Sequence, residues 1–499
     1  MRKTLRLSFL LLILAVAGMT GFYIFLHGQQ DDITISQKTL YGNPASAAGL
    51  SVTINADGYG TRWGRRCNWD LRYTLQKDGE LKSDVHYSAY NKKIPQKESK
   101  SVFLSASLHE QITLPENSPE NKFKPGDPVN AIFDVISEAP VNQTYEKTIN
   151  LADYYDYLSV YINQGSYQSS FTLDKDVNYE FTDFNYFQIP MPDSYKLHLS
   201  VRKNPDGTVS YVNFDSYPEA ETDEDYPLDS FEQCTFASSG QVLQNYCYLA
   251  VSHIQSDANP KAIALPEKMR GIHMIPLVKS KSNESRRFLN MDKAKLIYPL
   301  SADEKVLHLT SSADEKTLFL LTLKGSDFFA TILQPQKDGS LTEIKHLQLL
   351  SGFDGFWESE NHGYRLISSS DGFTLVLHNG DFCTLAKIKG EYQIGSRSSL
   401  NECSKVPDMA ELFLFHSTTT AVAIDETKTY FLIPSADSDY SGEIHGLNHY
   451  LLVYDDTDLT YAGKISYTMD HSEDVSASYA DDPQWNAQIP AIIETKPAS

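Results

Sequence analysis

Hydrophobic and polar positions follow two regimes along this chain. From Leu7 to Leu26 the residues are largely apolar and uncharged. At 1.5 Å rise per residue, about 20 such residues in a helix cross the ~30 Å hydrocarbon core of a bilayer. Arg2, Lys3 and Arg6 precede the run, and Asp31 and Asp32 follow it. Because Lys and Arg stay on the cytoplasmic side, the pattern predicts a signal-anchor helix with the bulk of the chain exported. Ala15-Val16-Ala17 offers a competing reading as a signal-peptidase site. Cleavage there would leave Met19 to Leu26 as an apolar start to the mature chain, so the uncleaved anchor is the reading adopted. No Cys follows the run, and a lipoprotein anchor is not supported.

After a polar, turn-rich stretch over 27–45, read as a tether, the second regime begins. Short apolar–polar alternations are separated by turn signals almost to the end, with no sustained 3.6-residue period. Three hairpins stand out. Trp69 to Leu75 runs through Asp78-Gly79 into Leu81 to Ser88. Tyr195 to Lys203 runs through Asp206-Gly207 into Thr208 to Phe214. Phe328 to Leu333 runs through Asp338-Gly339 into Leu341 to Leu349. Asp-Gly between alternating runs is a strong hairpin signal, since glycine accepts the positive φ that tight turns require. Tyr and Phe are abundant (30 and 24 residues), which fits half-buried pleated surfaces.

The second half repeats. Ser312 to Leu321, Ser369 to Leu377 and Ala423 to Ile433 each place an Asp (314, 371, 425) just before a β-run. The Asp positions recur at intervals of 57 and 54 residues. Further strands follow each, over 327–349, 381–398 and 448–468. A period of about 40–60 residues with several antiparallel strands per unit is the mark of propeller blades. These segments resemble the S-x-D-x-K-x-L stretch of β-propeller repeats, here behind a membrane anchor as in bacterial extracytoplasmic proteins. The resemblance covers 312–433, extends over 290–475 and is weaker before that. It implies an architecture and no particular activity. The Gly-His and Trp-Asp pairs of WD repeats are absent.

The expected fold is therefore all-β, a β-propeller of about seven blades (range five to eight) after one N-terminal transmembrane helix. Its expected organisation is a basic stub at 1–6, the helix at 7–26 and the tether at 27–45. Residues 46–289 form the N-terminal half of the propeller or a separate β-domain, with insertions at 107–148 and 216–230. Blades occupy 290–475. The tail at 476–499 is loose and acidic, or closes the ring.

Charge and cysteines narrow the classes. The formal net charge is −22, which excludes nucleic acid as an expected partner, because that binding depends on Lys and Arg neutralising phosphates. The five cysteines are sparse. Cys234 with Cys247 and Cys383 with Cys403 have spacings that suit bridges across hairpins in an oxidising compartment, leaving Cys67 over; the alternative is five reduced, buried thiols.

Candidate chemistry is thin. Asp437, Asp439, Ser441 and Glu443 place hard oxygen ligands at alternate positions beside Gly442, the pattern of a calcium loop. The ninth position, His445, and the twelfth, Asn448, depart from that pattern, and a solvated turn is the simpler reading. Calcium is the one cofactor expected at all. His445 and His449 share a face only on a helix, and the segment reads as strand. Glu219, Glu221, Asp223, Glu224, Asp225 and Asp229 form a dense run, read as a solvated loop or as an electrostatic docking site for a basic partner. Aromatics crowd 154–187 among interleaved carboxylates, a combination that packs cores or stacks on sugars. Ser200 and Lys203 match S-x-x-K by letter but lie in a predicted strand. No G-x-S-x-G, P-loop, H-E-x-x-H or G-x-G-x-x-G occurs.

The sequence thus points to a non-enzymatic, membrane-tethered module that recognises a protein, peptide or envelope polymer through one propeller face. A carbohydrate-active hydrolase or lyase using paired carboxylates is the alternative. A sensor ectodomain working with a membrane partner is a third.

Overall fold

The computed structural model describes residues 2–28, 33–60, 65–88, 100–106, 130–153, 160–164, 186–187, 189, 196–215, 234–256, 259–279, 287–352, 363–369, 372–401, 406, 420–425, 428–438, 444–469 and 491–495. Strands dominate them. The chain divides into two compact units, Met1–Gln96 with Gly352–Ser499, and Lys97–Ser351. Position 290, where the repeat first becomes regular, falls inside the second unit.

The first unit opens with helix α1 (Arg2–Gly28), then β1 (Ile33–Gly42), β2 (Leu50–Gly60), β3 (Arg65–Leu75) and β4 (Leu81–Ser88). The second unit holds β5 (Ser101–Ala106), helix α2 (Asn130–Glu138), β6 (Thr144–Asn150), β7 (Val160–Gln164), β8 (Lys196–Lys203) and β9 (Val209–Asp215). It continues with β10 (Cys234–Leu243), β11 (Tyr246–Ser256), β12 (Asn259–Ala264), β13 (Gly271–Lys279), β14 (Arg287–Leu289) and β15 (Lys295–Pro299). A meander completes it: β16 (Glu304–Ser311), β17 (Leu318–Lys324), β18 (Asp327–Pro335) and β19 (Leu341–Leu350). The chain then returns to the first unit with β20 (Tyr364–Ser369), β21 (Gly372–Leu377), β22 (Asp381–Ile388) and β23 (Glu391–Ser399). Last come β24 (Ala421–Asp425), β25 (Lys428–Ser438), β26 (Ile444–Asp455), β27 (Asp458–Met469) and β28 (Ala491–Thr495).

The three repeat segments occupy one structural position. Each is the turn between the first and second strands of a meander, β16–β17, β20–β21 and β24–β25. At the first, Ser312 Oγ donates to Asp314 Oδ1 at 2.7 Å, and the same oxygen accepts the Lys316 N–H at 3.1 Å. The three Asp-Gly hairpins also share one geometry. Gly79, Gly207 and Gly339 have φ of +85°, +84° and +84°. The Asp before each accepts the backbone N–H two residues on, at 3.0 Å in all three.

Packing follows from alternation. In β25, Tyr430 and Leu432 join one core with β2 and β3, while Phe431 and Ile433 join another. The same split runs along β26, where Leu451 and Val453 face one core and Leu452 and Tyr454 the other. The five-stranded sheet β1-β27-β26-β25-β24 is therefore buried on both faces, against β28-β2-β3-β4 on one side and β20-β21-β22-β23 on the other. Phe382, Phe431 and Tyr454 meet edge to face across the second contact, with centroids 4.8–5.9 Å apart. The first strands β20, β24 and β28 lie side by side, as in neighbouring blades.

In the second unit, β16-β17-β18-β19 packs against the eight-stranded sheet through Leu309, Leu318 and Leu320 on one side and Tyr248, Ala250 and Ile272 on the other. The three-stranded sheet β6-β8-β9 and α2 share a second core with β5, β7, β10 and β11.

Three expectations change. A closed ring of blades is not found; six sheets are defined among the described residues. One of them has eight strands because β11 pairs with both β12 and β13, and β13 with both β14 and β15. Most of the tether is a strand: β1 pairs antiparallel with β27, Ile33 opposite Met469. The tail contains β28, which completes the sheet of β2 with Leu50 opposite Thr495. Both chain ends thus supply edge strands to sheets of the first unit. Among the described residues no helix is long and apolar enough to cross a membrane; the described side chains of α1 run uninterrupted only over 11–25.

Hydroxyls tie two sheets together. Thr429 Oγ1 of β25 lies 3.2 Å from the Thr384 hydroxyl of β22 and 2.9 Å from the Ser396 hydroxyl of β23, and Thr374 of β21 lies 3.0 Å from Thr384. All four are fully buried. Thr384→Val should cost about 1–3 kcal/mol in denaturant unfolding, because it strands buried hydroxyls of its neighbours. Ending the chain after residue 490 removes β28 and leaves β2 an unpaired edge. That variant should melt several degrees lower in a calorimetric scan.

Candidate functional site

The residues singled out from sequence fall in different places. Asp437 lies in β25 opposite Gly446, while Asp439, Ser441 and Glu443 lie outside the described residues. Among the described residues no group of three or more His, Cys, Asp or Glu side chains can hold a metal. The acidic run Glu219, Glu221, Asp223, Glu224, Asp225 and Asp229 also lies outside them, as does most of 154–187.

The cysteines correct the disulfide expectation. Cys247 and Cys383 are free, buried thiols. In the β10–β11 hairpin, Cys234 pairs with Ser256 and Cys247 with Val242. Cys234 therefore sits opposite a residue nine positions beyond Cys247, about 30 Å along the strand. A disulfide needs Cα atoms within about 7 Å. Cys403 lies outside the described residues, and Cys383 faces the core of its sheet. Burial pushes the thiols up, to about 12 for Cys247 and about 11 for Cys383.

His449 is strand-borne, as expected, and is buried in β26. It meets the Tyr467 ring edge to face at 5.2 Å, and the Tyr467 hydroxyl donates to that of Tyr73 at 3.1 Å. Its Nδ1 has no partner among the described residues. Burial holds its pKa down at about 3. It is a neutral core group. Tyr186 and Phe187, from the aromatic stretch, both pack on the His273 ring. His273 is held at both nitrogens, Nδ1 by the Tyr186 hydroxyl at 3.0 Å and Nε2 by the Met269 carbonyl at 2.7 Å. These aromatics serve as packing.

The group with unspent chemistry lies in the second unit and was not visible in sequence. It gathers around Ser252 of β11, whose Oγ accepts the Val306 N–H of β16 at 2.8 Å and whose carbonyl accepts the Leu265 N–H at 2.9 Å. That anchoring places the next residue, His253, beside Lys305. Arg270 arrives just before β13; its carbonyl accepts the Leu300 N–H at 3.2 Å, so the loop 300–303 runs over it. His253 is 9% exposed. Its ring donates to the Ala302 carbonyl. Its Nδ1 and the Arg270 Nε are both buried without a partner among the described residues.

Burial first, then the charges of Lys305 and Arg270, hold His253 down at about 4. Burial holds Lys305 down at about 8. The loop's own carboxylates are committed elsewhere. Asp303 accepts from Ser301 Oγ at 2.5 Å and pairs with Lys324 at 3.0 Å. Glu304 accepts the Ser301 N–H at 3.0 Å. His253 Nδ1 and Arg270 Nε are thus two buried atoms of this unit without a partner among the described residues.

Comparison with known proteins adds outline only. No family model matches the chain. No curated protein matches it in sequence. Solved structures similar to it include the Pseudomonas aeruginosa periplasmic gluconolactonase PpgL, at 12% identity over 84% of this chain and 99% of that one, with a TM-score of 0.23. Another is the WD40 domain of SCAP from fission yeast, at 9% identity over 88% of each chain, with a TM-score of 0.21. Likeness at that level carries no argument, and the fold rests on the chain's own sheets.

Buried His253 and His449 are neutral in the fold and take up protons near 6.5 when unfolded. The unfolded state therefore binds more protons below that pH, and stability is lost as pH falls from about 6.5 towards 4 for His253 and 3 for His449. Each contributes a slope of up to about 1.4 kcal/mol per pH unit. Denaturant melts across pH 7 to 4 should show this loss, and His449→Phe should flatten it.

Proposed function

We propose that this protein is a binding module held at a membrane by α1, with its blade-like sheets on the non-cytoplasmic side, recognising a protein, peptide or envelope polymer. The observation that carries the reading is the exposure of α1. Phe9, Leu11, Leu12, Ile13, Leu14, Val16, Met19, Phe22, Tyr23 and Ile24 are each at least half exposed. A row of large apolar side chains is normally covered. The fold does not cover this one. The helix has 27 residues, about 40 Å at 1.5 Å each, more than the bilayer core requires. Its basic start and the acidic residues after it orient it with the sheets outside.

The sheets support binding over signalling. The first unit offers stacked sheets, and stacked blade repeats bind partners through their loops.

The test is fractionation of the full-length protein from its native membrane after an alkaline carbonate wash. The wild-type chain should stay in the pellet with its N-terminus intact. Leu12→Arg with Val16→Arg adds about 2.5–3.5 kcal/mol per charge at the helix centre and should release the protein. A wild-type chain found soluble, or beginning at Gly18, overturns the anchor.

A further inference from the structure

With α1 in a bilayer, the chain fixes which end of the first unit meets it. Four residues, 29–32, separate α1 from β1. Fully extended, the step from Gly28 to Ile33 covers at most about 18 Å. Ile33 and its partner Met469 therefore mark the membrane end, and Gly42, opposite Tyr461, marks the far end. β2 starts at that far end. The Asn43 N–H donates to the Thr460 carbonyl at 3.3 Å, and the Gly49 N–H to the Leu75 carbonyl at 2.9 Å. β2 then runs back past β27, where the Tyr467 hydroxyl meets that of Tyr73 at 3.1 Å.

That hydrogen bond sets a common level. Tyr467 lies opposite Ile35, and Tyr73 opposite Val52. From there β1 has two residues left to Ile33, about 7 Å of strand. β2 has eight left to Gly60, about 26 Å. The β2–β3 hairpin thus overshoots the start of β1 by about 20 Å, close to the longest reach of the link. Both α1 and β1 lie beside β4, the outer strand of the same sheet.

The end that overshoots is basic. Gly60 pairs with Arg65, and Tyr59 with Arg66. Asp57, opposite Asn68, is set back by about 10 Å along the strand. Residues 61–64 lie outside the described residues. The turns at 76–80 and 455–458 sit at the far end, with five carboxylates against Lys77 and Lys428. In a chain of net charge −22, a negatively charged surface is repelled by that far end and attracted to the hairpin tip.

We propose that the tip of the β2–β3 hairpin, through Arg65 and Arg66, docks on the anionic lipid headgroups of the membrane that holds α1. The contact ties the first unit to the bilayer at a second point, beside the anchor, and turns the far end outward. Tyr59 brings the ring type that sits at membrane–water interfaces. Asp31 and Asp32 of the link repel such a surface, so the attraction comes from the arginines. The proposal rests on the membrane reading of α1 and deepens it by naming the lipid chemistry that the sheets meet.

The experiment is hydrogen–deuterium exchange, read by mass spectrometry, on the full-length protein in nanodiscs. One set is phosphatidylcholine alone, and the other is an equal mixture with phosphatidylglycerol. Backbone amides of 58–67 should exchange about tenfold or more slowly in the anionic discs, since each basic residue near such a surface contributes about fivefold. Salt at about 1 M should remove the difference, because the Debye length falls to about 3 Å. Arg65→Gln with Arg66→Gln should cut it to about twofold or less. Arg72→Gln, exposed further along β3, should leave it unchanged, and the turn at 76–80 should not respond to lipid charge. If the double variant fails to fold, the wild-type comparison between lipids and across salt still decides. Equal exchange in the two lipids, a difference that survives high salt, or one that a folded double variant keeps would each overturn the proposal and leave the anchor standing. A chain that enters discs of neither lipid overturns the anchor, and the proposal with it.

Discussion

The first unit depends on one constraint, the burial of both faces of its five-stranded sheet. Alternate residues of β25, β26 and β27 point into two cores, so Tyr430, Leu432 and Val453 serve one neighbour and Phe431, Ile433 and Leu452 the other. Neither face can be left in water, since each fully buried large apolar side chain contributes about 1.5–3 kcal/mol. A sheet built this way requires a sheet on each side, and the chain supplies them from distant segments, β2 to β4 before it and β20 to β23 after it. The ends of the chain finish two of these sheets, through β1 and β28.

Polar groups inside such a stack have to be matched. The hydroxyls of Thr374, Thr384, Thr429 and Ser396 satisfy one another on one side of the five-stranded sheet, and the phenols of Tyr73 and Tyr467 do so on its other side. His449 Nδ1 stands out against that rule, and burial keeps the ring neutral. Free Cys247 and Cys383 behave as small core hydrophobes in the same setting, held protonated by burial.

The second unit meets the matching rule differently. Ser252 and Ser239 accept backbone N–H groups of β16 and fix the small meander against the large sheet. That join sets His253 of β11 near β16, where the charge of Lys305 reaches its ring. Asp303 and Glu304 are turned to Lys324 and Ser301.

By itself the sequence determined the local structure. The Asp-Gly turns at 78–79, 206–207 and 338–339 form where they were read, because positive φ at glycine and the Asp side-chain bond are set within a few residues. The repeats around Asp314 and Asp425 fall at the junction of the first and second strands of their meanders, because each hairpin contains its own pairing information, while Asp371 lies outside the described residues. The alternation of Ile33 and Ile35 with polar neighbours was a legible sign of β1, outweighed by the turn-rich composition around it. Only the tertiary structure decided the rest. Register placed Cys234 and Cys247 far apart, since a spacing in sequence does not say which residues face each other. Pairing across the whole length of the chain brought β1 to β27 and β28 to β2. The buried, unpartnered atoms of His253 and Arg270 belong to no motif, because burial is a property of the packed molecule.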